Sequence, residues 1–310
     1  MARYALIAAW LLLAQTADAF LSAPRALGRI HAPAILSKAP HVSRRGFSTP
    51  LQTLSCSAET TALVAWLEEN GCKANCEPSG SESGRGLSAT TAIKKGDDVC
   101  VVPLKVMMTE ETAAKALGPK ANELDAETAI ALQLLKEKAE GDASFYAPWI
   151  KTLPAADKMD VPLMWSEAER GWLEGTKVGE DVEELEENLE DELGQLTGAG
   201  WDKILGGLTL EDYKWATSIV SSRSFSLPKL PGGVALVPLA DFAAHSGTGG
   251  TYEVSFEGIM RAPHLKVRAG DAVEKGGDVR VAYPGSVVGG SDNSALLFKR
   301  GLSDLTVVEG

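Results

Sequence analysis

Apolar residues recur at helical spacing through the middle of the chain. Residues 126–139 carry Ile130, Leu134 and Leu135 in helical register, and in residues 180–196 apolar residues return every three or four positions with glutamates elsewhere. This period is typical of an amphipathic helix that packs one face against a core. Residues 60–70 and 210–220 show the same spacing, and Gly71 after the first of them is a plausible helix C-cap. The stripe of the longest helix consists of Val182, Leu185, Leu189, Leu193 and Leu196.

Short β-rich stretches bounded by Gly, Pro or Asp lie on both sides of this helical region, which spans about residues 109–220. Such runs predict strands, and the sequence KKGDD at 94–98 predicts the turn of a hairpin. No internal repeat is evident. The order of strands, helices and strands predicts one α+β domain whose β part is assembled from both ends of the chain. The predicted strands are residues 99–102, 234–237, 252–256, 265–267 and 279–282.

The first 57 residues have a different character. Residues 1–19 contain an early arginine, a ten-residue apolar run and the small-x-small pattern Ala17-Asp18-Ala19, which together predict a signal peptide. Residues 20–57 carry five basic residues and no acidic one, a composition typical of a transit peptide. A signal peptide followed by a transit-like segment that begins with Phe20 resembles the bipartite presequence of algae with secondary plastids. It predicts a protein of the plastid stroma, with no membrane segment once the presequence is removed; a secreted protein is the alternative.

Charge and cysteine content narrow the classes of function. The net charge is -12 and becomes -17 without residues 1–57, which argues against a nucleic-acid partner. The acidic face of residues 180–196 is compatible with a basic protein partner, and equally with simple solvation. The cysteines lack the spacing of a metal site or a disulfide framework, so we predict free thiols and no metal. They are Cys56, Cys72, Cys76 and Cys100.

Seven short segments with distinctive glycine, aromatic or charged residues follow one another along the predicted domain. They are Gly84-Arg85-Gly86-Leu87; residues 93–103; Phe145-Tyr146-Ala147-Pro148-Trp149 with Leu153-Pro154; Trp165-Ser166-Glu167 with Gly175-Thr176; Trp215 with Ser222-Arg223-Ser224-Phe225; Leu236-Val237-Pro238-Leu239-Ala240-Asp241 with His245-Ser246; and Tyr283, Asn293 and Gly301. In this order they resemble the plastid type of SET-domain protein, which includes the Rubisco large-subunit lysine methyltransferase.

The resemblance implies a SET domain at residues 58–305 that transfers a methyl group from S-adenosylmethionine to a lysine of a plastid protein. The Rubisco large subunit is one candidate substrate. A free lysine has a pKa of about 10.4, and a narrow, poorly hydrated channel would lower that pKa and expose the amine lone pair. By resemblance, Tyr283 is the phenol that orients this amine. The implied cofactor contacts are Ser83, Gly84, Arg85, Arg223, Ala244 and His245, and the implied substrate contacts are Asp241, Tyr252 and Arg300.

Two departures from the family pattern leave a second interpretation open. Ala244 stands where the signature has an asparagine, and Arg300 where the final motif has a tyrosine. Family members also usually continue into a helical substrate-binding lobe, whereas this sequence ends at Gly310, as a minimal form or a truncated one. The alternative is therefore a SET-fold module that binds protein with weak or no catalysis. A hydrolase finds little support, because no G-x-S-x-G elbow accompanies Ser246.

Overall fold

The structure is a computed structural model that describes residues 58–81, 84–255, 263–282 and 297–298. The predicted signal and transit segments lie outside the described residues. The helices are α1 (Ala58–Glu69), α2 (Glu110–Leu117), α3 (Ala126–Glu140), α4 (Ala147–Ile150), α5 (Glu167–Arg170), α6 (Lys177–Gly198), α7 (Trp201–Leu205) and α8 (Leu210–Arg223). The strands are β1 (Lys73–Ala74), β2 (Cys76–Ser81), β3 (Gly84–Ala89), β4 (Asp98–Pro103), β5 (Met108–Thr109), β6 (Ser224–Ser226), β7 (Val234–Leu236), β8 (Ala244–Ser255), β9 (His264–Arg268) and β10 (Asp278–Val281).

Helix α1 has the buried face and the C-cap that its sequence predicts. Leu63, Trp66 and Leu67 are buried. Gly71 has a φ of 82°, a conformation that glycine adopts without steric cost. The backbone N–H groups of Gly71 and Cys72 return to carbonyls of the last helical turn at 2.9 Å each, which is a Schellman motif.

The main sheet, in the part of the chain that the structure describes, joins strands from both ends. Its order is β1-β4-β9-β8-β10-β3-β2. A smaller sheet has the order β5-β7-β6. Pairing is antiparallel except between β8 and β10, which run parallel. The helices α2 to α8 lie between β5 and β6 in sequence, so the prediction of an α+β domain with a helical insertion is confirmed.

The hairpin prediction at residues 94–98 is wrong, although the turn itself is present. Asp97 N–H donates to Lys94 O at 3.0 Å, and Gly96 has a φ of 83°. However, β3 pairs with β2 and β10, and β4 pairs with β1 and β9, so the flanking strands do not pair with each other. The flanking strands do not pair because the turn at residues 94–98 is bonded to a second turn, which follows Val273. The bonds between the two turns are formed by Ile93 and Val273.

These two turns reveal an internal repeat, contrary to the prediction from sequence. Ile93 and Val273 exchange two backbone hydrogen bonds of 2.8 Å. Gly96 N–H donates to Ala269 O at 2.8 Å, and the equivalent bond runs from Gly276 N–H to the carbonyl of residue 89 at 2.7 Å. Residues 89–101 therefore correspond to residues 269–281 about a local two-fold relation. Identical residues occupy the paired positions 89/269, 92/272, 95/275, 96/276, 98/278, 99/279 and 101/281.

The parallel pairing of β8 with β10 contains a large irregularity. Arg280 lies opposite Ala244, but the next residue, Val281, lies opposite Gly250. Residues 245–249 therefore leave the ladder with β10. At Gly250 the backbones come very close, because a Cβ placed there would stand 2.0 Å from the carbonyl oxygen of Arg268.

We expect Gly250→Ala to lower the free energy of unfolding by about 1–3 kcal/mol, because the strands would have to separate to admit the methyl group. Gly194→Ala is the matched control. Gly194 lies within α6, and a Cβ placed there would have no atom within 4 Å, so this change is expected to stabilise the protein by about 0.5–1 kcal/mol. Urea denaturation of both variants measures the effect. Equal effects of the two substitutions would contradict the close approach at Gly250.

The helical insertion follows the predicted pattern. Helix α3 begins after Asp125, whose side chain accepts from Thr128 N–H, and nearly all of its middle is buried. In α6, Val182, Leu189 and Leu196 are buried on one face. The predicted helical register is confirmed in both helices, although α3 is buried on all sides from Thr128 to Leu135 and not on one face alone. In α6, most acidic residues are exposed, whereas Glu186 and Glu192 are half-buried.

A glutamate of α6 lies against this core. Thr128 Oγ1 donates to Glu192 Oε1 at 2.9 Å, and Tyr213 also bonds to this carboxyl group. Burial raises the pKa of Glu192, and the neighbouring Asp125 adds to the rise, while the hydrogen bonds from Thr128 and Tyr213 oppose it. Because the pKa is raised in the folded state, the ionised carboxyl opposes folding, and stability is lost as the pH rises through that pKa.

Glu192→Gln is therefore expected to stabilise the protein at pH 8, by on the order of 1 kcal/mol, and to have little effect near pH 4, where the carboxyl of Glu192 is largely protonated. Urea denaturation at both pH values tests this. The control is Glu190→Gln on the exposed side of the same helix. A gain that is the same at pH 4 and pH 8 would show that ionisation of Glu192 is not its cause.

The described cysteines are free and buried. They are Cys72, Cys76 and Cys100. Burial raises the pKa of the Cys72 thiol to about 12, so this thiol is unreactive at neutral pH. Within the described ranges, no group of three or more His, Cys, Asp or Glu side chains could hold a metal ion. No helix in those ranges is both long and apolar enough to cross a membrane.

Candidate active site

Asp241 lies at the meeting point of several distant segments. Its side chain is fully buried, and its Oδ2 accepts from Arg85 Nη2 at 3.2 Å and from Trp149 Nε1 at 3.3 Å. Its backbone carbonyl accepts from Arg223 Nη1 at 3.2 Å. Three residues predicted separately for the site, Arg85, Arg223 and Asp241, are thus brought together.

Strand pairing explains why these residues meet. Arg223 ends α8 and directly precedes Ser224 of β6, which lies opposite Leu236 of β7. The chain leaving β7 reaches Asp241 five residues later, where its carbonyl accepts from Arg223. Arg85 lies on β3, which pairs with β10, and β10 pairs with β8, whose first residue, Ala244, follows Asp241 by three positions.

The turn that carries Asp241 has an unusual backbone. Leu239 has a φ of 72° and a ψ of -53°, and it is the one non-glycine residue of the described part with a positive φ. This is a γ-turn conformation, which costs backbone strain and persists only where the surroundings fix it. The side chain of Leu239 is buried, and Asp241 N–H donates to Val237 O at 3.1 Å. Packing and this hydrogen bond hold the strained turn in place.

Arg85 is fixed from two sides. Its guanidinium carbon lies 3.7 Å from the centre of the Phe242 ring, while Nη2 faces Asp241. A guanidinium stacked on an aromatic face is stabilised by the electron-rich ring. The side chain is only 14% exposed, so the ion pair with Asp241 is shielded from solvent.

Buried polar atoms of Arg223 and Asp241 have unused hydrogen-bonding capacity. Arg223 Nε and Asp241 Oδ1 are buried and have no hydrogen-bond partner among the described residues. Such atoms are uncommon in folded proteins, and a ligand is one of the ordinary explanations. The guanidinium of Arg223 offers a donor suited to a carboxylate.

Known methyltransferases are similar in sequence to part of this chain. No family model matches the chain. Over 201 residues, 62% of this chain, it is 30% identical to the chloroplastic [fructose-bisphosphate aldolase]-lysine N-methyltransferase of Arabidopsis thaliana. Over 202 residues, 59% of the chain, it is 33% identical to the actin-histidine N-methyltransferase of Homo sapiens. The chain spans 41% and 34% of the lengths of these two relatives.

Solved structures show the same fold. The SET domain of LSMT bound to lysine and AdoHcy superposes with a TM-score of 0.72 at 23% identity, covering 81% of this chain and 58% of that one. Rubisco LSMT bound to AdoMet gives a TM-score of 0.69 at 24% identity, covering 81% and 57%. The chain has the SET-domain fold. Its predicted resemblance and fold class are confirmed at the level of the fold.

The remaining residues predicted for the site of this SET domain are only partly described. Gly84 opens β3, and Ala244 opens β8 and lies half-buried opposite Arg280. Five other predicted residues are described in part or not at all. The backbones of His245 and Tyr252 lie within β8, where Tyr252 is opposite Val267, but the side chains of both lie outside the described part. All atoms of Ser83, Tyr283 and Arg300 lie outside it. The roles of these five residues therefore stay predictions.

Trp149 belongs to the cluster around Asp241, although the sequence did not assign it to the candidate site. It is fully buried, and its indole N–H donates to Asp241. The aromatic segment at 145–149 could have indicated this contact, because a buried tryptophan usually needs an acceptor for its N–H. Which acceptor it finds depends on the tertiary fold.

Proposed function

We propose that this SET domain is an S-adenosylmethionine-dependent methyltransferase that modifies a side-chain nitrogen of a protein, with lysine as the first candidate. The observation that carries the proposal is the meeting of Arg85, Arg223 and Asp241 within hydrogen-bonding distance. Each was predicted from a separate segment of the family pattern, and their convergence supports a single site.

The relatives support this reaction class without specifying the substrate. One matched relative is a chloroplastic aldolase-lysine methyltransferase, and matched structures carry lysine, AdoHcy or AdoMet. Several others are actin-histidine methyltransferases. Histidine is therefore the second candidate target.

The described residues fit one end of S-adenosylmethionine. Arg223 would hold its carboxylate, since its buried Nε has no other partner in the described part and a guanidinium suits a carboxylate. The glycines of β3 allow close backbone approach. When bound, S-adenosylmethionine supplies an electrophilic methyl group on a positively charged sulfur. Ala244 cannot provide the amide hydrogen bond of the usual asparagine, which costs on the order of 1–3 kcal/mol of binding free energy.

The protein's own part in the reaction is to prepare the nucleophile. A lysine must lose its proton to water before its lone pair can attack, and a poorly hydrated channel favours the neutral amine. We assign Tyr283 the role of accepting or donating a hydrogen bond to this nitrogen, which directs its lone pair. Arg85 and Trp149 hold Asp241, and with it the turn beside the site. Positioning of this kind supplies much of the rate in a transfer between two bound groups.

The plastid stroma is the proposed location, and a basic segment of a plastid protein, such as the Rubisco large subunit, is the proposed partner. Support comes from the transit-like composition of residues 20–57 and from the chloroplastic relative. The alternative is a binding module with weak catalysis or none, because Ala244 and Arg300 both depart from the family pattern.

Mass spectrometry after incubation with plastid extract and methyl-labelled cofactor tests the reaction. We expect labelled lysine that disappears in Tyr283→Phe and persists in Glu174→Gln, an exposed control. Label on histidine would select the second candidate. No label, together with micromolar binding of S-adenosylhomocysteine in calorimetry, would favour the binding module.

A further inference from the structure

Trp149 reaches the cluster around Asp241 from α4, a helix of four residues. The backbone of Trp149 is bonded on both sides. Its N–H donates to Tyr146 O at 3.0 Å, and its carbonyl accepts from Thr152 N–H at 2.9 Å and from Thr152 Oγ1 at 2.7 Å. The side chain is fully buried. The indole is therefore held in one place before it meets Asp241.

Two donors from different elements converge on the carboxyl group of Asp241. Arg85 Nη2 of β3 and Trp149 Nε1 of α4 both donate to Oδ2, at 3.2 Å and 3.3 Å. The side chain of Asp241 is fully buried, so these donors, and not water, determine where the carboxyl group points. Because hydrogen bonds are directional, two donors from separate elements fix the orientation of the carboxyl group as well as its position.

The backbone of Asp241 carries this restraint to Arg223. The Asp241 carbonyl accepts from Arg223 Nη1 at 3.2 Å. A guanidinium is a planar fork, so a bond to one of its nitrogens fixes the direction in which the remaining donors point. Trp149 and Arg223 do not need to touch, because Asp241 alone links the two.

The strained turn makes this link sensitive to the loss of a contact. Leu239, two residues before Asp241, has a φ of 72°. Strain of this kind persists only while the surroundings hold it, so the backbone relaxes when a contact is removed. Without the indole N–H, the turn loses one of the bonds that hold it. The Asp241 carbonyl would then move, and the guanidinium of Arg223 would move with it.

We propose that Trp149 is a positioning residue for the cofactor. Its indole N–H orients Asp241, and Asp241 orients the guanidinium of Arg223 toward the carboxylate of S-adenosylmethionine. Trp149 acts through Asp241 and does not itself contact the cofactor. The proposal rests on the proposed function, which places the cofactor carboxylate at Arg223.

Calorimetric titration of the full chain with S-adenosylhomocysteine tests this role. We expect Trp149→Phe to weaken binding about fivefold, because the N–H that orients Asp241 is lost. Trp215→Phe is the matched control. Trp215 is 5% exposed and its indole N–H donates to Pro154 O at 2.9 Å, so the control loses the same ring volume and the same kind of bond outside the cluster. We expect the control to bind the ligand as the unaltered protein does.

A double variant distinguishes positioning from a general loosening of the fold. Arg223→Ala removes the group that Trp149 orients, so Trp149→Phe added to it should weaken binding less than about twofold further. About fivefold weakening in both backgrounds would overturn the proposal, because the effect would then not pass through Arg223.

An isosteric replacement keeps the test independent of packing. Trp149→benzothienylalanine, introduced by amber suppression, has a sulfur in place of the N–H and nearly the same ring volume. We expect it to weaken binding about as much as Trp149→Phe, because both lack the donor. Equal affinity of this variant and the unaltered protein would overturn the proposal.

The outcome is distinguishable from that of the proposed function. Coupled losses of affinity at Trp149 and Arg223 without methyl transfer would uphold the positioning role and reject the enzyme. Methyl transfer together with unchanged affinity of Trp149→Phe would uphold the enzyme and reject the positioning role. Failure of the unaltered protein to bind S-adenosylhomocysteine would reject both.

Discussion

Replacing Asp241 by alanine is expected to lower the free energy of unfolding by about 3–5 kcal/mol. The change would leave the guanidinium of Arg85 and the indole N–H of Trp149 buried without the oxygen that now accepts from both. Removing one member of a buried ion pair costs more than the pair itself contributes, because the remaining charge stays out of water. Urea denaturation followed by circular dichroism measures the loss.

The matched control is Asp271→Ala. Asp271 pairs with Lys95 at 3.4 Å, nearly the 3.2 Å of the pair at Asp241, but the two side chains are 69% and 74% exposed. An exposed pair of this kind contributes about 0–1 kcal/mol. Burial and the additional bond from Trp149 thus distinguish the two substitutions. A loss below about 1 kcal/mol for Asp241→Ala would show that the buried contacts do not stabilise the fold as the geometry requires.

Arg223→Ala is expected to weaken the binding of S-adenosylhomocysteine about 100-fold, measured by isothermal titration calorimetry. The physical reason is the loss of charge-assisted hydrogen bonds to the ligand carboxylate, which are about 1.5–3 kcal/mol each, and 1.4 kcal/mol corresponds to a factor of ten. Arg223→Lys should fall between, because an ammonium keeps the charge but not the planar fork.

Lys177→Ala is the control for the removal of a positive charge, since Lys177 is 70% exposed at the start of α6. We expect it to bind the ligand as the unaltered protein does. Equal affinity of the Arg223→Ala variant and this control would exclude Arg223 from the cofactor site. A lower thermal midpoint for Arg223→Ala alone would indicate that the bond to the Asp241 carbonyl is mainly structural.

Local patterns predicted the helices well because helical contacts are short-range. The spacing of Leu63, Trp66 and Leu67 was enough to identify the buried face of α1, and Gly71 was enough to mark its end. The turn at residues 94–98 was equally local and equally correct. Its strand partners were not predictable in this way, because β3 and β4 pair with strands about 160 or more residues distant as well as with near neighbours.

The residues of the candidate site were predicted from the family pattern, but the contacts between them were not. Arg85, Arg223 and Asp241 follow the family pattern, but the sequence assigned Asp241 to the substrate side with no sign that its carboxyl group is enclosed. The contact from Trp149 joins positions 92 residues apart, and only the packed fold reveals it. The repeat was missed for a similar reason, since its two short copies lie at opposite ends of the domain.

The position of β10 between β8 and β3 has a consequence for how the chain folds. The early strands β3 and β4 each need a partner from the last part of the sheet, so their pairing must wait until residues 264–281 are available. Closing loops of this length is slow, and unpaired strand edges are exposed in the meantime. The central sheet is therefore completed late. A chain interrupted before residue 264 would hold β4 paired only with β1, and β3 paired only with β2.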